Sequence, residues 1–285
     1  MTSTDADRPI AVGVADKQHA ALSFAAEEAR LAGCDLRVVH AYTVPPGPPD
    51  ALGAVYGVDL RGTFRESGRE VLADAAGFLA SQHGDVSLHR ILRQGPAPLV
   101  LSRVAETSRM LVLGPDDGTP WYERLFQGRS SRALVSSASC PVVVVPDTWD
   151  ARTHRRGVTL LLDSETVAHG PLRFAFEHAT RHHDDLRIVH LGAGDALSDE
   201  RVQWHDMERV IDSWSARYPK VSVETSVVIG RPDLARAESF ERTGLLVLGR
   251  PHEHHLFASL HSSLVQSVIK KACCPVAAVD AHYDG

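Results

Sequence analysis

The sequence predicts an α/β protein built of two tandem, doubly wound domains. Three observations predict it. The chain has 285 residues, more than one hydrophobic core usually organises and comfortable for two domains of about 140. It repeats itself in order: Asp35-Leu-Arg-Val-Val-His-Ala41 returns as Asp185-Leu-Arg-Ile-Val-His-Leu191, Met110-Leu-Val-Leu-Gly114 as Leu245-Leu-Val-Leu-Gly249, and Cys140-Pro-Val142 as Cys274-Pro-Val276. Gly95-Pro96 likewise has its counterpart in Gly230-Arg-Pro232. Within each half, short aliphatic runs alternate with longer helical patterns, the signature of parallel strands joined by right-handed helical crossovers.

The elements follow in order. Ile10–Val14 is a short strand rich in β-branched residues. Ala20–Ala32 reads as a helix, with apolar Leu22, Ala25, Ala26 and Ala29 on one face. Leu36–Ala41 is the second strand, and the Pro45–Pro49 stretch after it disfavours helix. Helix resumes over Thr63–Gln82, then strand Val86–Leu92, helix Pro98–Ser108, strand Met110–Leu113, helix Ser130–Ser137 and strand Val142–Val145. The second half repeats the order, with strands near Val158–Leu162, Leu186–Leu191, Val221–Ile229, Leu245–Leu248 and Val276–Val279. Continuous aliphatic strands mean a sheet buried on both faces. The domains are therefore expected at 1–146 and 157–285. The polar, charged stretch 147–156 reads as a linker, and its basic cluster Arg152, His154, Arg155 and Arg156 as solvated.

Composition excludes several classes. Hydrophobic residues make up 44% and charged residues 23%, ordinary for a globular protein. Thirty basic against 36 acidic residues give a net charge of −6, which argues against a broad nucleic-acid-binding face. The polar, acidic start Met1–Arg8 lacks the pattern of a secretory signal, and no apolar run approaches a membrane span. Cys34, Cys140, Cys273 and Cys274 make no disulfide framework and no CxxC pair. The expectation is a cytoplasmic protein with reduced thiols, without nucleic-acid or membrane partners.

In an open parallel sheet, ligands bind where the strands end at their carboxyl side. In the first half this places Val14, Ala15 and Asp16 after strand one, Ala41 on strand two, and Leu113 and Gly114 after strand four at one site. The loop after strand four reads Gly114-Pro-Asp-Asp-Gly118, then Thr119 to Gln127, then Gly128-Arg-Ser-Ser131, leading into a helix. Glycines admit phosphate oxygens to backbone N–H groups, and the hydroxyls and helix N-terminus add donors.

These residues resemble the ATP-binding type of the universal stress protein family, which carries Gly-x2-Gly-x9-Gly followed by Ser or Thr at this place. Val12-Gly-Val-Ala-Asp16 is similar to that family's opening strand, and Cys140-Pro-Val142 to the end of the helix that follows its loop. The resemblance covers nearly the whole chain, once per half. It implies Rossmann-like domains, each a five-stranded parallel sheet of order 3-2-1-4-5 with helices on both faces. It also implies a site for ATP or another adenine nucleotide in the first domain, formed by Val14, Ala15, Asp16, Ala41, Leu113, Gly114, Asp116, Gly118, Gly128, Arg129, Ser130 and Ser131. The loop departs from the family by one extra residue before Gly118, and Arg129 stands where the hydroxyl residue belongs. Asp116 and Asp117 would repel phosphates, whereas Arg129 could replace lost donors. A nucleotide site and a solvated loop that formerly held phosphate are both open readings.

The second half keeps the spacing and loses the residues. His252 and Ser262 occupy the family's glycine positions, where a Cβ obstructs the approach of phosphate. Asp163, which the family uses near adenine and ribose, is retained. Asp163, Gly249, Ser262 and Ser263 are secondary binding candidates, with loss of nucleotide binding the favoured reading. His252, His254, His255 and His261 crowd one loop, and solvated surface histidines are favoured over a metal site. No metal is expected. His40 and His190 recur in both second strands, which favours a structural role. The resemblance further implies that the last strands pair antiparallel, Val142–Val145 with Val276–Val279, joining the two domains, and a homodimer is compatible with it.

No catalytic residue is identified: neither a Walker lysine loop nor a nucleophile elbow is present. The expected function is a stress-response regulator or sensor that binds an adenine nucleotide chiefly in the first domain. The alternative is a nucleotide-free interaction module acting through dimerisation and protein partners. Weak ATP hydrolysis through Asp16 or Asp163 is the least favoured reading.

Overall fold

The computed structural model describes residues 8–44, 59–114, 138–150, 152, 156–163, 169–192, 197–229, 243–250 and 274–285. The chain divides into two compact units, Met1–Ser139 and Cys140–Gly285. The first holds strands β1 (Ile10–Gly13), β2 (Leu36–Tyr42), β3 (Leu88–Gln94) and β4 (Met110–Leu113), with helices α1 (His19–Ala32), α2 (Leu60–Gln82) and α3 (Ala97–Ala105). The second holds β5 (Val142–Val144), β6 (Val158–Asp163), β7 (Leu186–Gly192), β8 (Val223–Ile229), β9 (Leu245–Gly249) and β10 (Val276–Val279), with α4 (His169–His182) and α5 (Leu197–Arg217).

The first unit's strands are parallel and lie in the order β3-β2-β1-β4. Every residue of β1 is buried, as a strand covered on both faces requires. Gly68 of α2 packs against His40 and Leu92, whereas α3 sends Leu101 toward Gly13 and carries Thr107 just beyond its end to Arg37. His40 and Arg37 have opposite parity on β2, so helices cover both faces.

In the second unit β8-β7-β6-β9-β10 run parallel, the order 3-2-1-4-5 in that unit's own count. β5 lies antiparallel on β10, with Val144 opposite Val276 and Val142 opposite Ala278. That ladder ties Val142–Val144 to the second compact unit. Within the stretch 147–156, Trp149 is buried, so that segment is not uniformly solvated.

Local signals set the helix ends. Asp59 caps α2 by accepting from the Gly62 N–H at 2.9 Å, and Pro98 sits in the first turn of α3. Gly33 ends α1 in the left-handed conformation, φ 65°, while Cys34 N–H donates to the Ala29 carbonyl at 3.0 Å. α4 ends the same way: His183 has φ 55° and Asp184 N–H donates to the Ala179 carbonyl at 2.9 Å.

Two strand positions differ from expectation, in the same manner. β3 starts at Leu88 rather than Val86, and β8 at Val223 rather than Val221. The N–H groups of Val86 and Val221 instead close turns onto His83 and Tyr218, at 3.2 and 3.0 Å. Aliphatic composition marks both valines as strand, but turn hydrogen bonds claim them. The helix expected at Ser130–Ser137 lies outside the described residues.

Candidate functional site

At the carboxyl end of the first unit's sheet, Gly13 pairs with Val39 on one side and Leu113 on the other. This register brings Val14–Asp16, Ala41 and Leu113–Gly114 to one rim. Val14 is buried and donates its N–H to the Val39 carbonyl at 2.9 Å. Its carbonyl faces His40 Nδ1 at 2.8 Å. A carbonyl only accepts, so Nδ1 carries the proton in this contact. The repeated histidine of the second strand thus anchors the turn leaving the first.

Beyond Val14 the chain emerges, and Ala15 and Asp16 are exposed. Gln18 organises this turn. Its Oε1 accepts from the Ala15 N–H at 2.8 Å, and its own N–H donates to the Asp16 carbonyl at 2.9 Å. Its Cβ and Cγ also lie 3.1 Å from where a Cβ on Gly114 would stand. Gly114 is therefore needed for close approach between the end of β4 and the start of α1. The exposed Asp16 carboxylate can accept hydrogen bonds from hydroxyl or amino groups and opposes anions.

The third side of the rim is tied by Gly95, φ 142°, whose N–H donates to the Tyr42 carbonyl at 2.9 Å. Gln18 and this Gly95–Tyr42 link are absent from the sequence-based site. Gln18 carries no sequence signal for this role, because it precedes the helix and its side chain reaches back to a turn amide rather than capping α1. Asp116, Gly118, Gly128, Arg129, Ser130 and Ser131 lie outside the described residues.

In the second unit the corresponding strand ends lie near α4, on which the chain's last residues pack. Asp163 ends β6 opposite Leu191, and Gly249 ends β9 opposite Val279. Pro171 of α4 reaches within 3.7 Å of where a Cβ on Gly249 would stand. The N–H of Gly170 donates to the Ala281 carbonyl at 3.0 Å, and Tyr283 meets Phe174 edge-on with centroids 6.1 Å apart. The final residues thus lie across the first turn of α4. Arg250 is 2% exposed, and its guanidinium donates to the carbonyl of Cys140. Burial pushes the Arg250 guanidinium below its usual range, while Cys140 and Asp280 oppose that shift. Ser262, Ser263, Cys273 and the histidines 252, 254, 255 and 261 lie outside the described residues.

Residues 8–146 match the model of the universal stress protein family. The first half of the chain is a domain of the universal stress protein family. A universal stress protein of Mycobacterium tuberculosis is 24% identical over 292 residues, covering 97% of each chain. One of Mycolicibacterium smegmatis is 26% identical and covers 98% of this chain and 99% of that one. These matches span the full tandem length. Among solved structures, a universal stress protein from Archaeoglobus fulgidus superposes with a TM-score of 0.67 at 17% identity, covering 96% of each chain. At that identity the likeness concerns the fold alone. Among the described residues, no helix is long and apolar enough to cross a membrane.

Proposed function

We propose that this chain is a tandem universal stress protein, a non-enzymatic stress-response regulator or sensor that binds an adenine nucleotide, ATP, chiefly through its first domain. The observation that carries the reading is the difference between the two rims. In the first unit, exposed Ala15 and Asp16 lie beside a glycine at the end of β4. In the second, the end of β9 lies beside Pro171, and the C-terminal residues pack across the first turn of α4. On this reading residues 1–146 are the binding domain, 157–285 the structural one, and 147–156 their connection. Antiparallel pairing of the last strands joins the domains, and the protein works in the cytoplasm, where a homodimer is compatible with it.

The test is equilibrium dialysis of the full chain with labelled ATP. Saturable binding is expected, weakened at least about tenfold by Gly114→Val or Gly128→Val and unaffected by Asp163→Ala. No saturable binding at millimolar ATP would overturn the reading.

One observation favours the alternative of a nucleotide-free interaction module. The Ala15 amide, a natural donor at this rim, is already taken by Gln18. On that alternative, Gln18→Ala leaves the protein unable to bind ATP. On the favoured reading, the same substitution frees a donor and tightens binding.

A further inference from the structure

On the α3 face of the first unit, an open groove of about 710 Å³ runs between β3 and α3 and reaches the rim where Arg93 pairs with Ala41. In the parallel register Arg37 of β2 stands beside His89 and Ala41 beside Arg93. Side chains alternate along a strand, so Arg37, His89, Ile91 and Arg93 project to this same face. Arg103 closes the groove from α3, and Ile91, Val100 and Val104 line it with half-buried apolar surface.

The charge is strongly one-signed. Four arginines, Arg37, Arg90, Arg93 and Arg103, line the groove against a single carboxylate, Asp35, which pairs with His89 at 3.1 Å. Arg37 is held by neutral partners, the hydroxyl and carbonyl of Thr107 at 2.9 and 3.4 Å. Among the described residues Arg93 and Arg103 make no ion pair, and Arg93 donates only to the Leu92 carbonyl, at 3.3 Å. This concentration of cations sits on a chain whose net charge is −6. Guanidiniums beside apolar surface are well suited to planar carboxylates.

The spacing selects the shape of the ligand. Arg37 and Arg93 are four strand positions apart, roughly 13 Å, with Ile91 midway. A single small anion reaches one end only. An extended peptide spans the distance with acidic side chains at positions i and i+4 and an apolar one at i+2, all on one face. We propose that this groove is a docking site for an extended acidic protein segment of the pattern acidic-x-apolar-x-acidic. It does not depend on the nucleotide reading.

The experiment is fluorescence polarisation of a labelled Glu-Ser-Leu-Ser-Glu peptide with the full chain at low salt. Saturable binding is expected, weakening about tenfold with Arg93→Glu or Arg103→Glu and severalfold when the central Leu becomes Ser. Arg69→Glu, a charge reversal on α2 outside the groove, is the control, and circular dichroism checks that all variants fold. Failure of the peptide to saturate overturns the proposal. So does an equal loss with Arg69→Glu, which would mean non-specific attraction. Tighter binding of inorganic tripolyphosphate at the same arginines would likewise replace the peptide with a small anion.

Discussion

His40 Nδ1 lies 2.8 Å from the carbonyl oxygen of Val14, so the second strand of the first unit holds the turn that leaves the first strand. The other edge of that imidazole faces Gly68 of α2, where an added Cβ would come within 3.0 Å of the ring. The contact therefore couples three elements at the candidate site.

Replacing His40 by Phe keeps the ring and removes the donor. A loss of about 1 kcal/mol is expected from the unsatisfied carbonyl, read by urea unfolding. Because Val14 precedes the exposed Ala15 and Asp16, nucleotide binding should weaken together with stability. Equal stability of His40→Phe and the parent would show that water satisfies the carbonyl as well.

The two first helices end in the same left-handed motif, with Gly33 in one and His183 in the other. A side chain in that conformation costs about 1 kcal/mol, which glycine avoids. His183→Gly should therefore raise the stability of the chain by about that amount, whereas Gly33→Ala should lower it. Thermal unfolding of the pair distinguishes this from any role of the His183 imidazole.

Gly170 is covered by the chain's last residues. A Cβ there would strike the Asp280 carbonyl and come within 2.8 Å of the Tyr283 amide. Gly170→Ala should detach residues 281–285 and break the Gly170–Ala281 hydrogen bond. Faster release of C-terminal fragments by carboxypeptidase, followed by mass spectrometry, is the expected signature.

Tyr218 gives a pH dependence with a definite sign. Desolvation, reinforced by the Glu177 carboxylate, holds its phenol above the ordinary value of 10.0, despite opposition from Arg173 and Arg217. The folded state then retains the proton longer than the unfolded one. The associated stability is complete below pH 10.0 and disappears as pH rises through the raised folded value. Tyr218→Phe should flatten that alkaline decline in urea unfolding, and an unchanged slope would remove Tyr218 as its source.

Much of this was legible along the chain. Repeated Asp-Leu-Arg-x-Val-His segments gave the second strand of each half, and the aliphatic runs gave the parallel sheets. Val14, Ala41 and Gly114 could be assigned to one rim because strand order and parallel direction dictate which ends coincide. What failed to show was how backbone groups are satisfied. Gln18 reads as an ordinary pre-helical residue until its amide oxygen is seen on Ala15. Val86 and Val221 read as strand because composition is blind to a competing turn. Trp149 sits in a polar stretch and is nevertheless buried.

The sequence by itself determined that this chain is a duplicated α/β protein with a glycine-bearing rim in its first half. Periodicity, repetition and spacing are local properties, and they survive being read in one dimension. Only the tertiary structure decided that the C-terminal residues lie across the first turn of α4, because Gly170 and Ala281 are far apart along the chain and meet through the fold. It also decided that Arg37, Arg93 and Arg103 share one groove. Strand parity and register, not sequence proximity, place their charges together.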